Sequence, residues 1–181
     1  MAEVNSDINN VEYLSWGDVD ALIDHLLPQL RGPYDALVMV TRGGIVPGGI
    51  ISEALDIRDV LTAAVAFPPS DNRPETQLAW PSFLQFPGEE FLRGRRVLVV
   101  DDIWDSGRTI TAVRGRIEAL GGFPELAVLH YKPGRSAVGA SGPNYYAAVT
   151  TSWIVYPWEL WRRGDLAPAS LAPSSPTPTL S

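Results

Sequence analysis

Three carboxylates lie close together in the stretch VLVVDDIWDSGRT, which runs from Val97 to Thr109. Asp101 and Asp102 follow four apolar residues directly, and Asp105 opens the turn that comes next. Carboxylates bind divalent cations and accept hydrogen bonds from sugar hydroxyls. Because acidic residues are seldom gathered at the end of a buried strand unless they have a partner, the stretch indicates a binding or catalytic site.

The turn after the acidic pair has the opposite chemical character. It runs into a predicted helix, whose unpaired N–H groups and dipole favour an anion. Gly107 permits close approach of the backbone, and Arg108 adds positive charge. Ser106 and Thr109 supply hydroxyl groups. A sugar phosphate bound together with Mg²⁺ would satisfy both halves of the stretch.

Three other interpretations of these carboxylates stay open on the residues alone. An acidic pair after an apolar strand also occurs in Walker B segments, but the chain has no G-x-x-x-x-G-K-[ST] sequence. Such a pair also forms the metal pocket of receiver-like folds, although the anion-binding turn would then have no purpose. In the third interpretation Asp105 only caps the helix that follows.

Apolar runs and helical patterns alternate along the chain and predict the elements that position these residues. Helices are predicted where apolar residues repeat at helical spacing, and the first has a capping box of Ser15 and Asp18. Short apolar runs predict buried strands. The alternation predicts an α/β fold, with a mainly parallel sheet flanked by helices and ligands at the carboxyl ends of the strands. The predicted strands are 36–40, 59–67, 97–100, 125–131 and 145–150, and the helices are 15–30, 47–55 and 109–120.

Composition narrows the class of protein. The 181 residues fit one domain, and 14 basic against 21 acidic residues give a formal charge of −7, which argues against nucleic acid or an anionic membrane as a partner. The lack of cysteine excludes disulfides and thiolate chemistry. The polar start MAEVNSDINN is unlike a signal peptide, and no apolar run approaches the roughly 18 residues of a membrane span. We expect a soluble, cytoplasmic protein.

The stretch 97–109 resembles the signature of the type I phosphoribosyltransferases, in which a hydrophobic strand and two acidic residues precede a D-[ST]-G-x-T turn. Trp104 is bulkier than the residue usual at its position. The resemblance implies that Asp101 and Asp102 hold the ribose hydroxyls of 5-phosphoribosyl 1-diphosphate (PRPP) and help to orient Mg²⁺, the expected cofactor. It also implies that the turn cradles the 5′-phosphate through Asp105, Ser106, Gly107, Arg108 and Thr109.

The stretch VTRGGIVP at 40–47 resembles the pyrophosphate loop of the same family. Arg42 offers a forked guanidinium to phosphate, and Gly43 and Gly44 let backbone N–H groups approach it. The resemblance implies that Arg42 stabilises the departing pyrophosphate. It also implies a non-proline cis peptide in this loop.

YKP at 131–133 and WIVYPWE at 153–159 resemble the base-binding hood of the bacterial xanthine–guanine and hypoxanthine members. The resemblance implies that Trp153 stacks on the purine and that Lys132 donates to its O6. The backbone of Ile154 would read the pyrimidine edge of the base, and Glu159 would assist. Trp158 is expected to be a packing residue.

The resemblance also implies how the chain is divided. We expect a phosphoribosyltransferase domain at 1–164, whose hood comes mainly from 131–160. The proline-rich segment 68–91 takes the position of the flexible loop of the family or is an insertion, and the tail 165–181 is expected to be disordered. A homodimer or homotetramer is the implied assembly.

The implied function is purine salvage. The enzyme would transfer the 5-phosphoribosyl group of PRPP to xanthine, guanine or hypoxanthine, giving a nucleoside monophosphate and pyrophosphate. Asp105 is the expected general base at purine N7, and Arg42 is the second catalytic residue. Two alternatives are a regulator of the same fold that senses PRPP or nucleotides without catalysis, and a pyrimidine or orotate phosphoribosyltransferase.

Overall fold

The computed structural model describes residues 10–67, 81–138 and 142–161. They form two compact units, one within Asp20–Thr151 and a smaller one of residues 10–19 and 152–161. Three α-helices are present in the described part of the chain: α1 Trp16–Leu26, α2 Ile45–Ala54 and α3 Arg108–Ala119. The strands of the described part are β1 Val11–Tyr13, β2 Ala36–Val40, β3 Val60–Ala66, β4 Ser82–Gln85, β5 Arg96–Trp104, β6 Phe123–Tyr131, β7 Tyr145–Val149 and β8 Trp153–Val155.

The larger unit contains a six-stranded sheet in the order β4-β3-β2-β5-β6-β7. Strands β3, β2, β5, β6 and β7 run parallel, and β4 pairs antiparallel with β3. The central strands β2 and β5 are almost wholly apolar up to the acidic pair, which is typical of strands covered on both faces. The predicted α/β fold with a mainly parallel sheet is therefore confirmed.

The helices form where their end signals and apolar faces predict. Asp18 N–H donates to Ser15 Oγ at 3.2 Å and Ser15 N–H donates to Asp18 Oδ2 at 2.7 Å, so the predicted capping box is present. Helix α3 buries Ile110, Val113 and Ile117 on one face. These three side chains belong to the hydrophobic core, which also contains Val38, Val99, Leu126 and Val128 from the sheet.

The smaller unit is built on a parallel pair of strands, β1 and β8, with Val11 opposite Trp153. Its aromatic side chains pack together, with the rings of Tyr156 and Trp158 stacked 4.6 Å apart and Trp16 6.0 Å from Trp158. Trp158 is thus a packing residue, as expected. The sequence patterns did not predict β1.

Several predicted boundaries differ from the structure. Helix α1 ends at Leu26 and is followed by the 3₁₀-helix Leu27–Gln29, and α2 begins at Ile45, before Pro47. Strand β5 extends beyond Val100 to Trp104 and so includes the acidic pair. The segment 68–91 is partly built into the fold, because Ser82–Gln85 forms edge strand β4, whereas 68–80 lies outside the described residues. Residues 131–151 of the predicted hood belong to the larger unit, while the tail 165–181 lies outside the described residues. None of the helices in the described ranges has the length and apolarity to cross a bilayer.

Candidate active site

The candidate site lies at the carboxyl ends of the central strands of the six-stranded sheet. Neighbouring strands β2, β5 and β6 are parallel, so their carboxyl ends meet at the same edge, where ligands of open α/β sheets bind. The loop after β2 carries Arg42, the end of β5 carries the acidic pair, and Lys132 follows β6. The fold therefore gathers three separate predicted stretches within the larger unit.

The loop between β2 and α2 lies directly against the acidic pair. A methyl group at Gly43 would overlap the Asp102 carboxylate, and one at Gly44 would overlap the Val100 carbonyl oxygen. Gly44 N–H also donates to Val40 O at 2.8 Å. The Thr41–Arg42 peptide is cis, as expected for this loop. Both glycines are thus required by the close approach of this loop to β5.

Asp101 and Asp102 lie inside β5 rather than after it, and Asp102 N–H donates to Asp101 Oδ1 at 3.0 Å. Burial raises the pKa of Asp101 well above its usual range, and the negative charge of Asp102 raises it further. The hydrogen bond from Asp102 N–H offsets part of this rise in pKa, and the Gly44 backbone offsets a smaller part. Because burial and the neighbouring negative charge disfavour ionisation of these two carboxylates, a bound cation or hydroxyl donors would stabilise their charged forms.

The donor set fits Mg²⁺. This ion usually takes one or two protein carboxylates, and its remaining ligands are waters and substrate phosphates. Asp101 and Asp102 provide two carboxylates beside the phosphate loops. No group of three or more acidic or histidine side chains able to hold a metal occurs among the described residues. The protein therefore offers an open carboxylate pair and not a closed metal cage.

The phosphate turn joins β5 to α3, and its glycine has a left-handed backbone with φ of 73°. A methyl group at Gly107 would overlap the indole ring of Trp104, which is 1% exposed. Trp104 also packs edge-to-face on Tyr131, with ring centroids 6.1 Å apart. The bulky Trp104 therefore forms the base on which the phosphate turn lies. The guanidinium of Arg108 lies over the ring of Phe67, 4.4 Å from its centroid.

Asp105 is paired with two cations from the segment after β6. Its Oδ1 lies 2.8 Å from Arg135 Nε and 3.8 Å from Lys132 Nζ. Lys132 is 5% exposed, so its charge is held close to the carboxylate. Sequence reasoning selected Lys132 but missed Arg135. The only available signal was a basic residue close behind Lys132, in YKPGR.

The smaller unit carries the other three residues predicted to bind the base. Trp153 is 48% exposed, as a stacking surface requires. Trp153 N–H donates to Asn10 O at 2.8 Å, and Val155 O accepts from Leu14 N–H at 3.0 Å. Because alternate residues of a strand turn their backbone groups to opposite sides, the N–H and C=O of Ile154 point away from β1.

Glu159 has a local partner in the same unit. Its Oε2 accepts a hydrogen bond from Tyr156 N–H at 3.1 Å, and Glu159 N–H donates to Tyr156 O at 2.9 Å. These bonds close the short 3₁₀-helix Pro157–Glu159. The structure therefore gives Glu159 a capping role, whereas its part in base recognition stays a prediction.

Comparisons with known proteins agree with this geometry. The family model described as phosphoribosyl transferase domain matches residues 11–159. A xanthine-guanine phosphoribosyltransferase of Cereibacter sphaeroides is 38% identical over 133 residues, which is 72% of each chain. The crystal structure of a purine phosphoribosyltransferase from Pyrococcus horikoshii superposes with a TM-score of 0.71 at 30% identity, covering 87% of this chain and 98% of that one.

A third match is a hypothetical protein from Neisseria gonorrhoeae whose crystal structure contains bound ppGpp. It superposes with a TM-score of 0.68 at 27% identity and covers 84% of this chain and 91% of its own. The family match spans the pyrophosphate loop, the acidic strand, the phosphate turn and both predicted base-binding stretches. The chain therefore belongs to the phosphoribosyltransferase family.

Proposed function

We propose that the chain transfers the 5-phosphoribosyl group of PRPP to a 6-oxopurine, that is to guanine, xanthine or hypoxanthine, in purine salvage. The observation that carries the choice of base is the Lys132–Asp105 pair, in which a donor and an acceptor lie 3.8 Å apart. The relatives named above as xanthine-guanine and purine phosphoribosyltransferases support the same choice.

The Lys132–Asp105 pair matches one edge of a 6-oxopurine. This edge presents O6, an acceptor, next to N7, which carries a proton in one tautomer of the free base. Lys132 would donate to O6 while Asp105 accepts the proton of N7. Adenine presents an amino group in place of O6, so its N6 donor would face the ammonium of Lys132 without an acceptor. The proposed site therefore selects against adenine.

The chemical step needs one bond made, one bond broken and one proton moved. Purine N9 forms the bond to ribose C1, the bond from C1 to the diphosphate oxygen breaks, and the N7 proton passes to Asp105. The transition state has oxocarbenium character, so catalysis comes mainly from positioning and charge stabilisation. Arg42 and the backbone of the 43–44 loop would hold the pyrophosphate. The turn 105–109 would hold the 5′-phosphate.

Mg²⁺ would be held by Asp101 and Asp102 together with oxygens of the substrate. When bound, it would neutralise charge on the diphosphate as this group leaves. The same two carboxylates would accept hydrogen bonds from the ribose hydroxyls. Trp153 would stack on the purine face, where a planar aromatic ring suits every purine, and the polar contacts would supply selectivity.

A homo-oligomer in the cytoplasm is part of the proposal. Helix α2 is apolar for most of its length, and Ile45 and Ile50 on it are exposed. An apolar surface directly after the pyrophosphate loop is suited to contact with a second copy. Light scattering should give a mass at least twice the 19.7 kDa of one chain. A monomer at micromolar concentration would contradict this part of the proposal.

A panel of bases tests the function. The protein is incubated with PRPP, Mg²⁺ and one of guanine, xanthine, hypoxanthine, adenine, uracil or orotate, and pyrophosphate release is measured. We expect release with at least one 6-oxopurine and rates at least about 100-fold lower with adenine, because the amino group leaves Lys132 unpaired. Faster release with orotate would support the pyrimidine alternative. Binding of PRPP without release for any base would support the regulator.

A second candidate function is binding of ppGpp at the same site. The observation that favours it is the Neisseria gonorrhoeae neighbour with bound ppGpp. This nucleotide carries a 6-oxopurine and several phosphates, so it could use the base-recognition pair and the phosphate loops together. We expect ppGpp to raise the KM for PRPP without changing kcat. An unchanged KM at millimolar ppGpp would contradict this function.

A further inference from the structure

The two cations beside Asp105 contact the same carboxylate oxygen. Arg135 Nε and Lys132 Nζ both lie near Oδ1, at 2.8 Å and 3.8 Å. Oδ1 is buried, and no well-aligned hydrogen bond reaches it from the described residues. The contact with Arg135 is therefore an ion pair governed by charge.

The backbone on either side of Arg135 is hydrogen-bonded to the end of β5 and to the phosphate turn. Before it, Lys132 N–H donates to Trp104 O at 2.9 Å. After it, Ala137 N–H donates to Ser106 O, also at 2.9 Å. The 3₁₀-turn Pro133–Arg135 lies between these bonds. The segment 132–137 is thus a strap over the turn that contains Asp105, and it presents the Arg135 side chain to this carboxylate.

We propose that Arg135 is a positioning residue for the transfer reaction, acting through Asp105. Its charge, together with that of Lys132, holds the Asp105 carboxylate by Oδ1, which leaves the other oxygen, Oδ2, to accept the proton of the base. This inference rests on the proposed function, in which Asp105 is the general base. Arg135 itself contacts neither substrate nor the reacting atoms in this proposal.

A purely structural role for the pair is a weaker explanation. The side chains of Arg135 and Asp105 are 46% and 38% exposed. An ion pair this accessible to water contributes little to folding stability. The strap is already fixed by its two backbone hydrogen bonds, which a side-chain substitution leaves in place. Arg135 variants are therefore expected to fold.

The first arm of the test compares Arg135→Gln and Arg135→Lys with wild type. Misplacement of a catalytic group by about 1 Å costs on the order of 100-fold in rate. We expect Arg135→Gln to lower kcat roughly 10- to 100-fold and to change the KM for PRPP less than about threefold. Arg135→Lys should recover most of kcat, because a point charge is sufficient. Arg58→Gln, which alters an arginine in an exposed ion pair with Asp56, is the matched control.

The second arm combines Arg135→Gln with Asp105→Asn. If Arg135 acts through Asp105, removing it from the Asp105→Asn enzyme should change kcat less than about twofold. If the loss of kcat in the double variant equals the product of the losses in the two single variants, the inference is overturned while the proposed function stays intact. Wild-type turnover by Asp105→Asn would overturn the general-base assignment and this inference with it. A kcat of Arg135→Gln equal to that of the Arg58→Gln control would also overturn it.

Discussion

At the scale of single residues, the glycines of the two phosphate loops have neighbours that leave no space for a side chain. Gly43 faces the Asp102 carboxylate, and Gly107 faces the Trp104 indole. Gly107 also has a positive φ, which disfavours any residue with a Cβ. Trp104 thus has a definite task, since its ring determines how closely the phosphate turn can lie on the sheet.

The cost of a side chain at Gly107 has two parts, overlap with Trp104 and backbone strain, and these can be measured separately. Gly94 has the same φ of 73°, but a methyl group there would meet nothing within 4 Å. Gly94→Ala should therefore lower the free energy of unfolding by about 1 kcal/mol through the backbone alone. Gly107→Ala should cost about 1–3 kcal/mol more, because its methyl group overlaps the indole. Urea denaturation measures both.

A double variant provides the control for this prediction. In a Trp104→Leu background the ring is gone, so Gly107→Ala should cost about as much as Gly94→Ala. If Gly107→Ala lowers the free energy of unfolding equally with and without the Trp104 ring, the contact does not contribute to the cost of the substitution.

His130 makes stability depend on pH. It is 4% exposed on β6, and burial, with the nearby charge of Lys132, lowers the pKa of His130 to about 4. The unfolded chain binds the proton with a pKa near 6.5, so the neutral ring stabilises the fold above that value. This contribution is lost as the pH falls toward 4. The histidine is therefore expected to be neutral and structural at pH 7.

Between pH 7 and pH 5 the free energy of unfolding should fall by about 2 kcal/mol through His130 alone. His130→Gln should remove this slope, because glutamine does not titrate. Urea denaturation at half-unit pH steps measures it. The same slope in both proteins would mean that another group is responsible.

At the scale of elements, the smaller unit is built on a pair of strands that lie far apart in the sequence. Strand β1 has only three residues, too few to show a periodic pattern, and its partner β8 lies more than 130 residues later. Local sequence contains no information on such a pairing, which is why β1 was missed. Strand β4 was missed for a related reason, since it lies in a proline-rich stretch and pairs only at the sheet edge.

The β1–β8 pair predicts a specific defect in base binding. Leu14→Pro removes the N–H that donates to Val155 O at 3.0 Å, while its extended neighbour Tyr13 tolerates a following proline. One hydrogen bond of about 1 kcal/mol corresponds to roughly a fivefold rise in the KM for the base. The KM for PRPP should stay within about twofold. Steady-state kinetics with each substrate varied in turn measures both.

Leu14→Ala is the matched control, because it keeps the N–H and shortens the same side chain. It should leave the KM for the base closer to wild type than Leu14→Pro does. If both variants raise the KM for PRPP and for the base alike, the β1–β8 pair has no specific link to base binding.

At the scale of the whole molecule, most of the fold was accessible from the sequence because continuous apolar strands and capped helices are local patterns. The loop at 40–47 and the turn at 105–109 could be selected because their residues resemble the phosphoribosyltransferase signatures, while their binding of phosphate stays a prediction. Arg135 was not, since its ion pair with Asp105 depends on how the strap 132–137 crosses the turn. The assignment of residues 10–19 to a separate unit also depends on contacts that no local pattern encodes.

The three carboxylates of the stretch 97–109 have separate surroundings. Asp101 and Asp102 lie within β5 against the glycines of the pyrophosphate loop. Asp105 lies outside the strand, on the phosphate turn, and is paired with Lys132 and Arg135. We infer that these surroundings reflect two tasks, substrate and cation binding for Asp101 and Asp102 and proton transfer for Asp105.

Turnover and PRPP affinity of Asp105→Asn, measured together, test this claim most directly. We predict that kcat with the best 6-oxopurine falls at least about 100-fold, because the amide cannot accept the proton. The Kd for PRPP with Mg²⁺, measured by calorimetry, should change less than about threefold, whereas Asp102→Asn should weaken it clearly. Near wild-type turnover of Asp105→Asn, or a loss of PRPP affinity as large as its loss of turnover, would contradict the account.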